Sequence, residues 1–179
     1  MWTLLLLAGA GCGAEADDGP TGPGSLMDPW SFDGTGAAED PMAEHRPEVV
    51  ACPDSSFLPE GMGLEIDSGA CNYLAVSSPS LRAVRPGDTL RTIVSHFSLD
   101  FPGSESGELR EAHFAVQLGD LLLTERAVDI PSGQAEYVDR VVAEKPLPAG
   151  TPLHVHLHNH GANSWKVARV EIESSASEP

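Results

Sequence analysis

The sequence predicts an all-β fold, a single antiparallel β-sandwich, and three observations support this. After residue 49, short apolar runs alternate with turn residues, and no window of a dozen residues keeps helical periodicity. The 18 glycines and 15 prolines among 179 residues disfavour a helical bundle. Strand-like runs recur at the spacing typical of a jelly-roll or immunoglobulin-like sandwich, and the pattern leaves open which topology is adopted.

The first element along the chain is an export signal over residues 1–11. The apolar run at residues 4–7 is followed by Gly, Ala and Gly at residues 9–11 and then by Cys12. This order is typical of a secretory signal, and the run is too short to span a bilayer. It resembles a bacterial lipoprotein signal, which implies that Cys12 is lipid-modified and begins the mature protein. A signal without lipidation, cut near the same place, is the alternative.

The second element, residues 12–48, is predicted to be a disordered tether. Between Gly13 and Glu48 the composition shifts to Gly, Pro, Ala and acidic residues, with nine carboxylates opposed by Arg46 alone. Such a segment buries too little apolar surface to offset chain entropy, and its charges repel one another. The exception is residues 27–32, which contain two aromatic side chains. Three interpretations of these residues are open: a short docking motif, a segment that packs on the domain, or an incidental apolar patch in a flexible linker.

The third element, residues 49–179, is the predicted sandwich domain. Turn sequences separate its strands, and the two-residue gap Gly119-Asp120 suits a tight hairpin. Cys52 and Cys71 are an even pair in a chain with an export signal, which predicts a disulfide. A metal pair is the alternative, although it lacks the short spacing of zinc sites. The predicted strands span residues 73–76, 89–99, 112–118, 121–128, 136–143, 153–158 and 165–172.

The charge and the motifs exclude several classes of function. The chain has a formal net charge of −17 and only 10 lysines and arginines against 27 acidic residues. It has no basic cluster, which binding to nucleic acid requires. Residues 103–107 have a glutamate where a nucleophile elbow needs serine, and no H-E-x-x-H motif or phosphate-binding glycine loop occurs. If Cys52 and Cys71 are paired, the domain has no cysteine nucleophile. The sequence therefore predicts a binding protein and not an enzyme.

The most informative segment is residues 153–160, where histidines alternate with other residues. Burying the aliphatic residues of this strand sends its histidines to the opposite face. Burying Phe97 and Phe114 likewise sends one histidine outward on each of two other strands. Imidazole suits copper and zinc, and histidines two apart on a strand can converge on one ion. The candidate ligands are His154, His156, His158, His96 and His113.

The triplet His154-Val155-His156 resembles the H-V-H copper-ligand segment of copper–zinc superoxide dismutases. This resemblance implies metal binding without dismutase activity. A solvated polar face that binds no ligand is the simpler interpretation of the same histidines.

A second ligand-binding interpretation depends on one tryptophan. Burying Val170 and Ile172 places Trp165 on the outer face of its strand, where polar side chains beside an indole ring can bind a sugar. The candidate residues are Trp165, Asn159 and Asn163. The leading prediction is therefore a non-catalytic sandwich that binds a small ligand, a glycan or a protein partner. A periplasmic or surface copper- or zinc-binding protein is the alternative.

The domain contains, in this order, Cys71-Asn72-Tyr73-Leu74, Ser78-Pro79-Ser80-Leu81, Pro86-Gly87-Asp88-Thr89-Leu90, His96-Phe97 and residues 157–165. In these segments it resembles the uncharacterised exported lipoproteins of myxobacteria and related delta-proteobacteria. The resemblance runs from Cys71 to the end of the chain, and it implies a cell-envelope lipoprotein with no known activity. The implied location is the outer membrane or a periplasmic face, with ordinary secretion as the alternative.

Overall fold

The computed structural model describes residues 19–34, 40–101 and 110–173, and in these ranges it confirms the all-β prediction. Two short 3-10 helices span Ala43–His45 and Asp54–Ser56. Among the described residues, no helix has the length and apolar character that a membrane span requires. The strands are β1 (Gly24–Ser25), β2 (Phe57–Glu60), β3 (Gly63–Asp67), β4 (Tyr73–Pro79), β5 (Thr89–His96), β6 (Arg110–Leu118), β7 (Leu121–Ile130), β8 (Ala135–Val142), β9 (Pro152–His158) and β10 (Ser164–Ile172).

The pairing of the strands is that of a jelly roll. One antiparallel sheet has the order β2-β3-β10-β5-β8, with β1 added to β10, and the other has the order β4-β9-β6-β7. Strand β3 pairs with β10, β4 with β9, β5 with β8 and β6 with β7, like a long hairpin rolled into two sheets. This nesting decides between the two topologies that the sequence left open. Each predicted strand is present, whereas β1, β2 and β3 were not predicted.

The turn between β6 and β7 is the tight hairpin that the sequence predicts. Leu118 and Leu121 pair across it. Gly119 has a φ of 57°, and a Cβ at this position would lie 2.9 Å from Cγ2 of Thr151. Glycine suits this position because it tolerates both the left-handed backbone and the close neighbour.

Trp165 lies in the core between the sheets. Its side chain is fully buried and stacks on Phe114, with the ring centroids 5.0 Å apart. The prediction that it lies on an outer face is wrong because β10 is irregular between Val167 and Arg169, where a bulge shifts the inward and outward alternation. Trp165 and Val167 are buried before the bulge, and Val170 is buried after it.

His96 also faces the core. It continues the inward alternation of Val94 along β5 and is 3% exposed. Its Nε2 lies 3.2 Å from the hydroxyl of Tyr137, and its ring lies 4.6 Å from that of Trp165. The prediction that His96 points outward is wrong because it treated Phe97 as a buried strand residue. Strand β5 ends at His96, and Phe97 is largely exposed.

Part of the N-terminal segment packs against the sandwich. Strand β1 pairs with β10, Leu26 and Met27 are buried in the core, and Asp33 forms a β-bridge with Ser77 of β4. The prediction of a disordered tether over residues 12–48 is therefore wrong for the described parts of that range. A few apolar side chains complete the core there, and the acidic composition obscures them.

The folded domain consequently begins before residue 49. The described part starts at Gly19, within the range that was predicted to be a tether. The signal at residues 1–11 and the lipidation of Cys12 concern positions outside the described residues.

Cys52 and Cys71 form a disulfide, as the even pair predicts. Beside it, the side chain of Asn72 accepts a hydrogen bond from the amide of Ala51 and donates one to the carbonyl of Val49. These bonds attach the N-terminal segment to the start of β4.

Candidate metal centre

The outer face of the β4-β9-β6-β7 sheet carries a cluster of histidines. The aliphatic residues of β9 face the core as predicted, so its three histidines lie on the outer face. His113 of β6 lies on the same face, directly across from His158. His156 lies one row along the sheet, and His154 lies a further row away, level with Gln117.

Residues 40–46, which we name the strap, lie against this face. The ring of His45 stacks on that of His113, with centroids 3.6 Å apart and an interplanar angle of 6°. The same ring lies 5.9 Å from that of His156. The strap, through its Asp40, and the ring of Tyr73 together cover His156, which is 1% exposed.

Asp40 of the strap holds His156 in one orientation. Its Oδ2 lies 2.7 Å from Nδ1 of His156 and also accepts a hydrogen bond from the hydroxyl of Tyr73. Burial by itself would raise the pKa of Asp40, but hydrogen bonds from His156, Tyr73 and the amide of Met42 outweigh it and lower that pKa. The carboxylate therefore stays ionised and favours the tautomer of His156 with its proton on Nδ1.

The hydroxyl of Tyr73 keeps its proton and donates it in a hydrogen bond to Asp40. Its burial raises the pKa of Tyr73 above the ordinary value, and the neighbouring Asp40 carboxylate raises it further. Tyr73 thus stays neutral next to the ionised carboxylate.

Three buried imidazole nitrogens in the cluster have no hydrogen-bond partner among the described residues. They are Nε2 of His156, Nδ1 of His113 and Nε2 of His158. The other nitrogen of His113 lies 2.8 Å from Oε1 of Glu125 on β7. A histidine that ligates a metal shows this arrangement, with a carboxylate on one nitrogen and the lone pair of the other available to the ion.

The environment of His158 favours its neutral form. Burial, together with repulsion from His160 and His156, lowers the pKa of His158 to about 4. A neutral imidazole is the form that binds a metal ion, and His158 keeps it well below neutral pH.

This low pKa predicts that acid destabilises the metal-free fold through His158. An unfolded histidine titrates near 6.5, so between pH 6.5 and about 4 the unfolded chain binds a proton that the folded chain does not. The contribution is present in full above pH 6.5 and is lost as the pH falls toward 4. We expect the Tm, measured by circular dichroism with a chelator present, to fall across this window, and to fall less in His158→Gln. An equal fall in both proteins would contradict the assignment.

The cluster meets solvent at a cleft of about 650 Å³. Ligating atoms of His45, His113 and Glu125 lie within 4.8 Å of one another, and the two histidines of this group line the cleft. His113 and His158, two of the three histidines with an unpaired nitrogen, line this cleft. Its lining consists of Glu44, His45, Arg46, Arg110, Glu111, His113, His158 and His160.

The structure brings together three of the five histidines predicted as ligands. His154 lies on the same face but outside the cluster, and His96 lies in the core between the sheets. The three are His113 and His158, which lie opposite each other on β6 and β9, and His156, whose ring lies 5.1 Å from that of His113. Among the described residues, the ligating atoms that lie within 4.8 Å of one another are those of His45, His113 and Glu125, so an ion shared by all three histidines requires their side chains to move.

Glu125 of β7, and Asp40 and His45 of the strap, were not identified from the sequence as site residues. The two strap residues lie in a segment whose composition predicts disorder, and no periodicity marks them. The one available signal was a histidine within an acidic stretch.

The residues predicted for a sugar-binding face do not share a surface with Trp165, which is buried. Asn159 is buried, and its Nδ2 donates to the carbonyl of Gly161. Asn163 is exposed with a φ of 117°, and its Nδ2 donates to the carbonyl of Ser98 at 3.0 Å. Both asparagines bind the backbone in and beside the loop that joins β9 to β10.

Comparison with known proteins returns structural likeness alone. No family model and no curated protein matches the chain. The N-terminal cellulose-binding domain of Cellulomonas fimi β-1,4-glucanase C aligns with a TM-score of 0.40 and 12% identity, over 71% of this chain and 89% of that one. A family 29 carbohydrate-binding module aligns at 0.38 and 12%, over 73% and 95%. A CBM4 structure aligns at 0.38 and 9%, over 70% and 77%.

The cellulose and carbohydrate named for these structures are ligands of those proteins.

Proposed function

We propose that this domain binds a divalent transition-metal ion, copper(II) or zinc(II), at the histidine cluster. The observation that carries the proposal is the set of three buried imidazole nitrogens without a hydrogen-bond partner among the described residues. Leaving a buried polar atom unpaired costs about 1–3 kcal/mol, and coordination to an ion removes that cost for each nitrogen that binds it. Imidazole is a good ligand for both metals. His45 on the strap adds a fourth imidazole beside His113.

The second support is the pair of carboxylates behind the histidines. Asp40 contacts the far nitrogen of His156, and Glu125 contacts the far nitrogen of His113. Such contacts fix the tautomer and orientation of a ligating ring and raise its basicity. Asp40 lies on the strap whereas His156 lies on β9, so this hydrogen bond links the strap to the sheet.

The environment of the cluster supports uptake from solution at ordinary pH. His158 stays neutral because burial, together with repulsion from His160 and His156, lowers its pKa to about 4, so proton competition at this ligand is weak near pH 7. The cleft beside it is open to solvent, and the charged side chains along it are of both signs.

We also propose that the domain works outside the cytoplasm, anchored by lipid at Cys12. The apolar run and small residues before Cys12 support export, and a disulfide such as Cys52–Cys71 is typical of an oxidising compartment.

The direct test is a metal titration of the full chain, prepared without a polyhistidine tag and stripped of metal. We expect calorimetry to show one ion of Zn(II) or Cu(II) per chain. Copper should bind more tightly and displace zinc, because divalent copper generally exceeds zinc in affinity for nitrogen ligands. Binding of both ions weaker than about 1 mM would contradict the proposal.

A further inference from the structure

We propose that the end of the sandwich opposite the histidine cluster faces the membrane, so that the metal site points into solvent. The partner is a lipid bilayer, held at a short distance by the anchor proposed at Cys12. This inference goes beyond metal binding and rests on that anchor, which the test below also examines.

The described chain begins at one end of the sandwich. The amide of Ala83 donates to the carbonyl of Pro20 at 2.9 Å, and a Cβ placed on Gly19 would lie 2.6 Å from Cβ of Ala149. Strand β1 then runs beside Ile172, the last residue of β10. Residues 19 and 20 are thereby held at this end.

The turns at this end, residues 80–88, 119–120 and 143–152, are linked to one another, and we name them the proximal end. Backbone hydrogen bonds join Gly150 to Ser80, Gly119 to Pro152, and Gly87 to Ala143, each at 2.8 Å. The described chain therefore begins beside a set of turns that are hydrogen-bonded to one another.

The connection from the proximal end to the proposed anchor is short. Cys12 precedes Gly19 by seven positions. An extended chain spans at most about 3.6 Å per residue, so Cys12 lies within about 25 Å of Gly19. A tether reaching to residue 48 would have left the orientation of the domain free. Packing of the N-terminal segment removes most of that length.

The histidine cluster lies at the other end of the sandwich. Strand β9 runs from Pro152 at the proximal end to His158 in the cluster, and Leu118 at the end of β6 pairs with Leu153. At about 3.3 Å per residue, His158 lies roughly 20 Å farther along the strand than Pro152. A membrane near the proximal end leaves the cleft beside His158 facing away from the lipid.

The turns of the proximal end are less acidic than the chain as a whole. The protein carries a formal charge of −17, but the proximal turns have three basic and three acidic residues. A balanced surface avoids the repulsion that an acidic surface meets at anionic lipid. The six residues are Arg82, Arg85, Lys145, Asp88, Asp120 and Glu144.

The chain offers a matched pair of probe positions, because its two lysines lie toward opposite ends. Lys145 lies in a proximal turn. Lys166 lies near the start of β10, across from Ser95, and forms an ion pair with Glu60. The variants Lys166→Arg and Lys145→Arg each leave one lysine for an amine-reactive fluorophore. The variant with both substitutions measures labelling of the chain terminus.

The experiment measures energy transfer to a headgroup-labelled acceptor lipid in phosphatidylcholine vesicles that carry the lipidated full chain. We expect the dye on Lys145 to transfer more efficiently than the dye on Lys166, after subtraction of the double-variant signal. Unlipidated protein with Cys12→Ser should show no transfer from either position. Equal transfer from the two lysines, stronger transfer from Lys166, or a mature chain without lipid on Cys12 would each overturn the proposal. Metal titration of the same preparations reports the histidine cluster separately.

Discussion

Replacing His156 with glutamine is expected to weaken binding of Cu(II) and Zn(II) by more than the roughly 10–100-fold that follows loss of an outer-shell partner. The reason is the position of its Nε2, which is buried without a partner among the described residues while Asp40 holds Nδ1. The substitution removes a ligand directly. Calorimetric titration of the metal-stripped full chain measures the effect, and the circular dichroism spectrum confirms that the variant is folded.

The matched control for this variant is His154→Gln. His154 lies on the same strand and the same face, two residues before His156, but level with Gln117 and outside the cluster. We expect its substitution to leave metal affinity close to that of the original protein. Equal losses in the two variants, or no loss in either, would show that the ion does not bind at this cluster.

Replacing Trp165 with alanine is expected to lower the free energy of unfolding by about 3–5 kcal/mol. The indole ring is fully buried and stacks on Phe114, so truncation opens a cavity between the two sheets. Its Nε1 has no hydrogen-bond partner among the described residues, so the loss comes from packing. Urea denaturation followed by circular dichroism measures the change.

Trp30 provides the comparison, because it is the same residue type on the surface. Its side chain is 78% exposed, and Trp30→Ala should change the stability by no more than about 0.5 kcal/mol. If Trp165→Ala were as mild as Trp30→Ala, the placement of Trp165 in the core would be contradicted.

The strands of the domain are predictable from the sequence because they depend on local patterns. Alternation in β6 and β9 orients His113 and the histidines of β9 correctly, and the glycine at position 119 marks the hairpin. These inferences need only the alternation of side chains along one strand and the position of one turn. Both are determined by about a dozen neighbouring residues.

Alternation fails where a strand is irregular or ends early. The bulge of β10 between Val167 and Arg169 reverses the expected side of Trp165. Strand β5 ends at His96, so the buried positions after it do not continue the pattern before it. Neither event has a clear signal in the residues themselves.

Only part of the candidate site could be predicted, because the site depends on which strands pair. His156 and His158 meet His113 because β9 pairs with β6, and the sequence does not show which strands pair. Asp40 reaches His156 across 116 positions of sequence, from a segment whose acidic composition predicts disorder. Only the folded chain shows this contact, and it identifies the carboxylate that orients the ligand.

The most direct test of the metal site is the electron paramagnetic resonance spectrum of the copper(II)-loaded full chain with 15N-labelled histidine. We predict hyperfine coupling to two or more imidazole nitrogens, and a reduced number in His156→Gln. A spectrum that shows oxygen ligands alone, or one that His156→Gln leaves unchanged, would contradict metal binding at this site.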